Sequence, residues 1–364
     1  MKNLIKKFIP EDFKKEIRTL KLKKYYKKRF LNLKRADNKN IILIGTPEYC
    51  NLGDTALALC ELKFFEEYFE EYNIVEITDR LYKYEHKNIL KFITPDDILF
   101  ITGGGFLGNL WMDGENLVRD VIRNFSSNKI AIFPQTMFFE KDISGIKELK
   151  KTITYWESAK DLLVMTREEN SYNFINNNFS NQKVRLYPDM VLSGMNVKKC
   201  DRENVVLLCL RNDKERVLSK EVSDKIKQIL DKRPEMRIQE IDTIVWDGFS
   251  YESREKILYN LLQQFSKSKL VITDKLHGMI FAIVTGTPCV VFDNKTRKIS
   301  GVYKWVEKLP YIKMVYEKNF EKALLEFLND TKTYIYDTAL LKKEFDNMAA
   351  TVQKWIKREE VKDE

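Results

Sequence analysis

The segment Thr273-Asp274-Lys275-Leu276-His277-Gly278 combines residue types that could bind an anion and transfer a proton. It holds one of only two histidines in the 364 residues. An imidazole titrates near neutral pH, and the backbone amides at a helix start attract a phosphate group. The alternative is a histidine that caps a helix or hydrogen-bonds within the core. The other histidine, His86, lies in a charged segment and is predicted to be solvated surface.

Arg211 ends an apolar run and is a second candidate for anion binding. A guanidinium group can hold a carboxylate or a phosphate through two hydrogen bonds. The alternative is a surface salt bridge to Asp213 or Glu215. If the strands are parallel, several such side chains meet at one sheet edge and form an anion site. They are Arg211, Lys275, His277 and Lys298, and the backbone and hydroxyl groups of Gly278 and Ser300 lie beside them in the sequence.

Glycine-rich loops in the first half of the chain could bind a sugar. The loop from Gly45 to Asp54 and the triplet Gly103-Gly104-Gly105 each follow an apolar run, and glycine allows close backbone approach. The candidate contacts for sugar hydroxyls are Asn51, Gly53, Asp54, Gly104, Gly105 and Asn109. A helix N-cap is the alternative role for Asp54. Arg167 is predicted to pair with the adjacent Glu168.

These residues must be positioned by an α/β fold, because short apolar runs alternate with helical patterns along the chain. Such alternation predicts parallel sheets in two Rossmann-like domains that face a cleft. The predicted strands are 40–45, 74–78, 97–102, 129–134, 162–166, 184–188, 204–210, 237–241, 269–273 and 289–292. The predicted helices are 54–72, 115–124, 143–158, 168–178, 220–233, 251–267, 279–285 and, in two or three segments, 318–359.

The predicted domain boundaries follow a polar stretch near 193–203. They give a tail (1–39), an N-terminal Rossmann-like domain (40–195), a C-terminal Rossmann-like domain (204–317) and C-terminal helices (318–364). The tail has fifteen Lys and Arg against four Asp and Glu, whereas the rest of the chain is almost neutral. A basic amphipathic helix is typical of proteins on anionic membrane surfaces. The alternative is a helix that packs its apolar stripe on the body of the protein.

Composition excludes several classes of protein. No apolar run is long enough to span a membrane, and no signal peptide is expected. Five scattered cysteines and two histidines give no metal-ligand spacing, so neither a metal nor a cofactor is expected, and a reducing cytoplasm fits best. The glycine spacing matches neither an ATPase nor a dehydrogenase. The main domains have no basic stripe with interleaved aromatics, so nucleic acid is not an expected partner.

In this order the motifs resemble the polysaccharide pyruvyl transferase family over roughly residues 40–310. The matching segments are Gly45-Thr-Pro with Asn51-Leu-Gly53-Asp54, Thr102–Gly105, Phe133-Pro-Gln135, Thr166-Arg-Glu168 with Ser171, Pro188-Asp189, Leu210-Arg211 with Asp213, Thr273–Gly278, and Asp293-Asn294 with Lys298 and Ser300-Gly301. The resemblance implies a GT-B-like arrangement of two domains. It also implies transfer of a pyruvyl group from phosphoenolpyruvate to two hydroxyls of a sugar, which forms a cyclic ketal.

By that resemblance, Arg211 and the turn from Lys275 to His277 would hold the donor. Lys275 stands where the family often has arginine, and lysine keeps the charge but loses the planar fork. His277 could be the general acid for the donor's methylene carbon, or it could only bind the phosphate as it leaves. Asp54 could orient or deprotonate an acceptor hydroxyl. The acceptor would be a surface-polysaccharide precursor, with the basic tail on the inner face of the membrane.

Two other functions remain as alternatives. The same fold could carry a nucleotide-sugar glycosyltransferase, since fold does not fix chemistry. The chain could also be a non-catalytic scaffold in a polysaccharide assembly complex.

Overall fold

Two parallel sheets form the core of the protein in a computed structural model, which describes residues 11–37, 39–180, 182–245 and 250–357. Every strand pairing in both sheets is parallel. Parallel strands are covered by helices on both faces, which is why they are nearly continuous apolar runs. In β1, for example, all seven residues from Asn40 to Thr46 are buried. The predicted α/β class is confirmed.

The first sheet has seven strands in the order β2-β1-β3-β5-β6-β7, and β4 pairs with β5 beside this path. Its strands are β1 (Asn40–Thr46), β2 (Asn73–Thr78), β3 (Ile98–Ile101), β4 (Gly104–Gly108), β5 (Lys129–Phe138), β6 (Asp161–Thr166) and β7 (Lys183–Leu186). The second sheet has five strands in the order β12-β11-β10-β8-β9. Its strands are β8 (Glu203–Cys209), β9 (Arg237–Glu240), β10 (Ser268–Thr273), β11 (Cys289–Val291) and β12 (Ile312–Met314).

Twelve α-helices in the described residues connect and cover these strands. They are α1 (Glu11–Leu31), α2 (Leu52–Tyr68), α3 (Asp79–Phe92), α4 (Met112–Asn124), α5 (Ile143–Glu157), α6 (Glu169–Asn178), α7 (Lys220–Asp231), α8 (Arg254–Lys267), α9 (Leu276–Val284), α10 (Lys298–Tyr303), α11 (Phe320–Asn329) and α12 (Ala339–Lys357). None of them is long and apolar enough to cross a membrane.

Both sheets share one topology, and this topology places the loops of interest. In each sheet the second strand lies outside the first, and the third lies on the first strand's other side. Ligands of such sheets bind where the chain direction of the crossovers reverses, outside the carboxyl ends of the strands. Those ends are β1 and β3 in the first sheet and β8 and β10 in the second. The segments that follow these ends contain Gly53, at the start of α2, Gly104, at the start of β4, Arg211, and His277, in the first turn of α9.

Several elements differ from the sequence prediction. Helix α3 was not expected and includes His86, which was predicted to lie in a loop on the surface. Instead His86 Nε2 lies 2.8 Å from Asp120 Oδ2 on α4. The glycine triplet enters strand β4, and α9 begins at Leu276, so His277 lies in its first turn. Asp54 was weighed as an N-cap, but Asn51 has that position in α2.

The predicted basic tail lies partly outside the described residues, because residues 1–10 are not among them. From Tyr25 onward, α1 packs on the body: Tyr26 is buried, and Tyr25, Phe30 and Leu33 contact the same core. Packing of the apolar stripe, one of the two alternatives, therefore holds for the C-terminal third of the helix. Leu20 remains exposed toward the other end.

The two C-terminal helices pack on different halves of the molecule. Phe320 and Phe327 of α11 belong to the core cluster under the second sheet. Trp355 of α12 instead packs against Phe100 of β3, and its indole donates a hydrogen bond to Asp161 Oδ1 at 2.7 Å. Helix α12 thus follows the second sheet in the sequence but packs on the first half, so it links the two halves.

Candidate active site between the two halves

His277 lies at the contact between the two halves of the molecule. A Cβ placed on Gly53, at the start of α2, would overlap the imidazole ring. The ring stacks on Phe281, and its Nε2 is 4.0 Å from Asp189 Oδ2. Among the described residues this buried nitrogen has no hydrogen-bond partner. A buried, unpartnered ring nitrogen in a first helical turn suits contact with a substrate better than a purely structural role.

Burial lowers the pKa of His277 below its usual value. The carboxylates of Asp189 and Asp54 act in the opposite direction, whereas the charges of Arg167 and Lys298 add to the lowering. The imidazole is therefore mainly neutral at pH 7 in this state. An anion placed beside it would favour the protonated form.

Arg167 is a central residue of this contact, although its sequence suggested pairing with Glu168. That expectation is wrong: Nη1 lies 2.7 Å from Asp189 Oδ2, and Nε donates to Thr136 at 2.9 Å. Glu168 turns the other way and caps α6 by accepting from Ser171 N at 3.0 Å. Arg167 and Asp189 are almost completely buried, so the pair is well shielded from solvent screening.

The glycine triplet brings this arginine close to the second half. A Cβ on Gly105 would come within 2.7 Å of Arg167 Nη2 and 3.3 Å of Lys298 Nζ. Only glycine leaves both cations room at this point. Arg167 and Lys298 are thus neighbours across the interface. The pKa of Lys298 is lowered, first by burial and then by the positive charges of Arg211 and Arg167.

Glu215 is the shared partner of two cationic and two neutral side chains. Its carboxylate, 1% exposed, lies 2.8 Å from both Arg211 Nη2 and Lys298 Nζ. It also accepts hydrogen bonds at 3.0 Å from Asn294 Nδ2 and from the indole of Trp111 in the first half. Burial works to raise the pKa of Glu215, but Lys298 and Arg211 outweigh it and the net direction is downward.

Two of the four predicted anion ligands therefore share one internal carboxylate, Glu215. Arg211 also binds Asp213 at 2.9 Å, so both salt bridges weighed as its alternative role exist, although the arginine is buried. Lys275 points to a different carboxylate, Asp242, at 2.5 Å. Arg211, Lys275 and Lys298 therefore each have a carboxylate partner in this structure, and an anion would bind them by displacing those carboxylates.

The loop before α2 is joined to the second half through backbone hydrogen bonds. Leu52 N donates to Thr243 O at 2.8 Å, and Val245 N donates to Cys50 O at 2.7 Å. Within the loop, Asn51 caps the helix through Gly53 N and also donates to Asp54 Oδ2 at 2.8 Å. The loop is thereby pinned beside Asp242, the partner of Lys275.

Other predicted site residues have local partners. Asn109 Oδ1 accepts from Glu140 N at 2.8 Å, and Ser300 Oγ donates to Arg297 O at 3.0 Å. Gly278 is close-packed, since a Cβ there would overlap Thr273 Oγ1. Gly104 has a φ of +141°, which favours glycine.

Glu61 of α2 was not singled out from the sequence, yet it fixes the glycine triplet. Its oxygens accept from Gly103 N at 2.6 Å and from Thr102 Oγ1 at 2.8 Å. Burial raises its pKa to about 8. Glu61 lies in no motif found in the sequence, and only the packing of α2 against the glycine triplet reveals its role.

The fold and the contact between its halves define a class of protein. The structure is similar to that of UDP-GlcNAc 2-epimerase from Methanocaldococcus jannaschii, with a TM-score of 0.51 and 13% identity over 86% of this chain and 99% of that chain. At this identity the likeness establishes the fold alone: two Rossmann-like domains in a GT-B-like arrangement.

Comparison with sequences identifies the family. The family described as polysaccharide pyruvyl transferase matches residues 51–296. General stress protein 30 of Bacillus subtilis (strain 168) is 37% identical over 79% of this chain and 83% of its own. Pyruvyl transferase 1 of Schizosaccharomyces pombe (strain 972 / ATCC 24843) is 27% identical over 74% and 69%. The chain belongs to the polysaccharide pyruvyl transferase family and is an enzyme of that kind.

Proposed function

We propose that this enzyme transfers the pyruvyl group of phosphoenolpyruvate onto two hydroxyls of a sugar in a surface-polysaccharide precursor, forming a cyclic ketal. The observation that carries the proposal is the unpartnered imidazole of His277, buried beside Arg167 and Lys298 where the two halves meet. An anionic donor with a carbon to be protonated needs both features in one place.

The donor carries a phosphate and a carboxylate, which require cationic partners. Arg211 and Lys298 would bind these groups by exchanging Glu215 for the donor, and Lys275 would do so by leaving Asp242. Each cation would then keep a charge-assisted hydrogen bond, and Glu215 would keep its neutral donors Asn294 and Trp111. Arg167 lies next to Lys298 across Gly105 and would contribute from the first half. Donor binding therefore involves both halves of the molecule.

The chemistry begins with a proton on the donor's methylene carbon. His277, protonated once the donor's charge lies beside it, gives that proton, and the central carbon becomes an oxocarbenium-like centre. One sugar hydroxyl adds to this carbon and loses its proton. The C–O bond to phosphate then breaks, and a second hydroxyl of the same sugar closes the ring as its proton leaves. The products are the ketal and inorganic phosphate.

The first half of the molecule would hold the acceptor. Asp54, which accepts hydrogen bonds from Tyr49 and Asn51, would orient or deprotonate a hydroxyl. Gly53 leaves room for the His277 ring, and Gly105 leaves room for Arg167 and Lys298. These glycines, with Gly104 beside Gly105 in the triplet, would therefore place the acceptor beside the donor groups. Trp111 is 39% exposed and could stack on a sugar face while its indole N–H stays on Glu215. Asn109 would shape the rim of this site through Glu140.

The acceptor would be lipid-linked, and the exposed end of α1 would rest on an anionic membrane surface. Exposed residues there include Lys21, Lys23 and Leu20. Cations near an anionic surface attract it with about 1 kcal/mol each. The packed end from Tyr25 onward would then keep the body at a fixed distance from that surface.

Phosphate release tests this proposal, with the two histidines as a matched pair. Purified protein with phosphoenolpyruvate and a glycan acceptor should release phosphate and form an acid-labile ketal. The His277→Ala change should lower this rate by about 10²–10⁴-fold, the usual contribution of a general acid. His86→Ala, on α3, should leave it unchanged. Full turnover in the His277 variant would remove this residue from catalysis.

Ligand-induced stabilisation separates the donor classes. Phosphoenolpyruvate should raise the melting temperature, whereas UDP- or GDP-sugars should not. The opposite result would favour a nucleotide-sugar glycosyltransferase.

A further inference from the structure

Helix α5 has an exposed face that joins apolar and basic side chains beside the contact between the two halves. Ile143 is 87% exposed and Ile146 50% exposed. Both belong to one stripe of α5 that continues with Lys147, Lys150 and Lys151, and a shallow depression on this face is lined by the same residues. Large exposed isoleucines in a row are unusual on a surface that faces only water.

Most charges on this stripe are positive. Lys141, just before the helix, is also exposed. The nearby carboxylates have partners: Asp142 caps the helix through Gly145 N, and Glu148 binds both Arg119 and Lys151. Glu140 binds Lys295 of the second half. The stripe therefore presents Lys141, Lys147 and Lys150 to its surroundings, while Lys151 and the carboxylates are engaged within the protein.

The position of the stripe links it to the proposed site. Glu140, three residues before Ile143, forms the 2.7 Å salt bridge to Lys295 across the two halves. Its backbone N–H also donates to Asn109, in the loop after β4. The exposed isoleucines thus lie at the rim through which an acceptor would enter the first half.

We infer that this face of α5 docks on an anionic lipid bilayer, with Ile143 and Ile146 in the headgroup region and Lys141, Lys147 and Lys150 on lipid phosphates. Apolar side chains beside lysines on one exposed helix face match the composition of interfacial helices. The inference deepens the proposed function, because a docked rim would meet a lipid-linked acceptor at the bilayer surface.

Vesicle sedimentation of the full chain, with α1 intact, tests the docking. The probes are vesicles of phosphatidylglycerol with phosphatidylcholine, and of phosphatidylcholine alone. We expect binding to the anionic vesicles only. The triple change Lys141→Gln, Lys147→Gln and Lys150→Gln should weaken this binding on the order of a hundredfold, since each lysine near the surface contributes about a factor of five.

A second pair of changes tests the apolar part. Ile143→Ser with Ile146→Ser should also weaken binding, whereas Ile335→Ser with Leu325→Ser, which alters exposed apolar residues elsewhere, should not. Unchanged binding in both α5 variants, or equal binding of the wild type to both kinds of vesicle, overturns the docking.

Phosphate release with a soluble glycan distinguishes this failure from failure of the proposed function. The α5 variants should turn over a soluble acceptor at the wild-type rate, because they lie outside the reacting centre. Normal turnover without lipid binding would overturn only the docking. Lipid binding without any turnover in the wild type would overturn only the pyruvyl transfer.

Discussion

The imidazole of His277 lies directly against Gly53, and the two residues belong to different halves of the molecule. Any side chain at position 53 would overlap the ring. The start of α2 and the start of α9 can therefore meet only because one residue contributes a ring and the other contributes none. This contact sets both the position of the imidazole and the approach of the two halves.

Gly53→Ala should therefore displace His277. A misplacement of about 1 Å at a catalytic group costs roughly a hundredfold in rate, so phosphate release should fall by about that factor. The melting temperature should also fall, since the added methyl group pushes the halves apart.

The His277→Ala background is the control for this change. With the ring removed, the methyl group at position 53 finds space, so Gly53→Ala should cost little additional stability there. Equal destabilisation in both backgrounds would show that the alanine acts on the backbone of α2 and not through the imidazole.

Donor binding should change the protonation of His277. Burial keeps its pKa low in the free protein, and an anionic donor beside it raises the pKa. The wild type should therefore take up a proton on binding phosphoenolpyruvate near neutral pH, and affinity should rise as pH falls.

Titration calorimetry in two buffers of different ionisation enthalpy measures this uptake. The donor's own phosphate can also exchange protons, so the relevant quantity is the difference between the wild type and His277→Asn. We expect up to about one more proton taken up by the wild type. Equal proton numbers would mean that the imidazole does not sense the donor.

In the proposed mechanism, Glu215 occupies the place that the donor's anionic groups take when they bind. Glu215→Gln leaves two buried cations without their shared counter-charge, and breaking such a pair typically costs about 3–5 kcal/mol. The variant should therefore melt earlier than the wild type. Phosphoenolpyruvate should then stabilise the variant more strongly than it stabilises the wild type, because the ligand supplies the missing charge.

Glu140→Gln is the matched control, since Glu140 also forms a salt bridge and contacts the other half but is 33% exposed. It should change neither stability nor the response to donor by much. A variant at position 215 that gains no more from phosphoenolpyruvate than the wild type would argue that the donor binds away from Arg211 and Lys298.

The fold could be predicted from the sequence because buried parallel strands are apolar runs that end in glycine or a polar residue. The run from Ile41 to Ile44 is one example, and it forms β1 as expected. Helix α3 was missed because most of its residues are charged or polar. Its buried residues Leu81, Tyr82 and Ile89 have helical spacing, but they are too few to stand out.

The site could be predicted only in part, because its charges are paired over long sequence distances. Positions such as His277 and Arg211 stand at strand ends, where topology gathers ligand groups. The groups that pair with such residues cannot be predicted from strand ends, because they come from distant segments. Trp111 and its partner Glu215, for example, are 104 residues apart. Arg167 was assigned to its neighbour Glu168, whereas successive residues after a strand point in opposite directions.

The glycine triplet offers a last test, because it is held by a carboxyl group whose protonation should depend on pH. Burial raises the pKa of Glu61 to about 8, whereas in the unfolded chain it would be about 4.3. Between these values the folded state holds a proton that the unfolded state has lost. Stability should therefore fall as pH rises, by about 1.4 kcal/mol per pH unit, until the folded carboxyl ionises near pH 8.

Glu61→Gln removes this dependence while keeping an oxygen for Gly103 N; its amide group would donate to Thr102 Oγ1, which reverses the direction of that hydrogen bond. Its melting temperature relative to the wild type should increase steadily from pH 5 to pH 8. Glu66→Gln, on an exposed position of the same helix, should show no such trend. Parallel melting curves for the Glu61 variant and the wild type would mean that Glu61 is ionised in the folded protein. In that case the triplet would be held by a charge-assisted hydrogen bond, and the acceptor side of the site would carry one more negative charge at neutral pH.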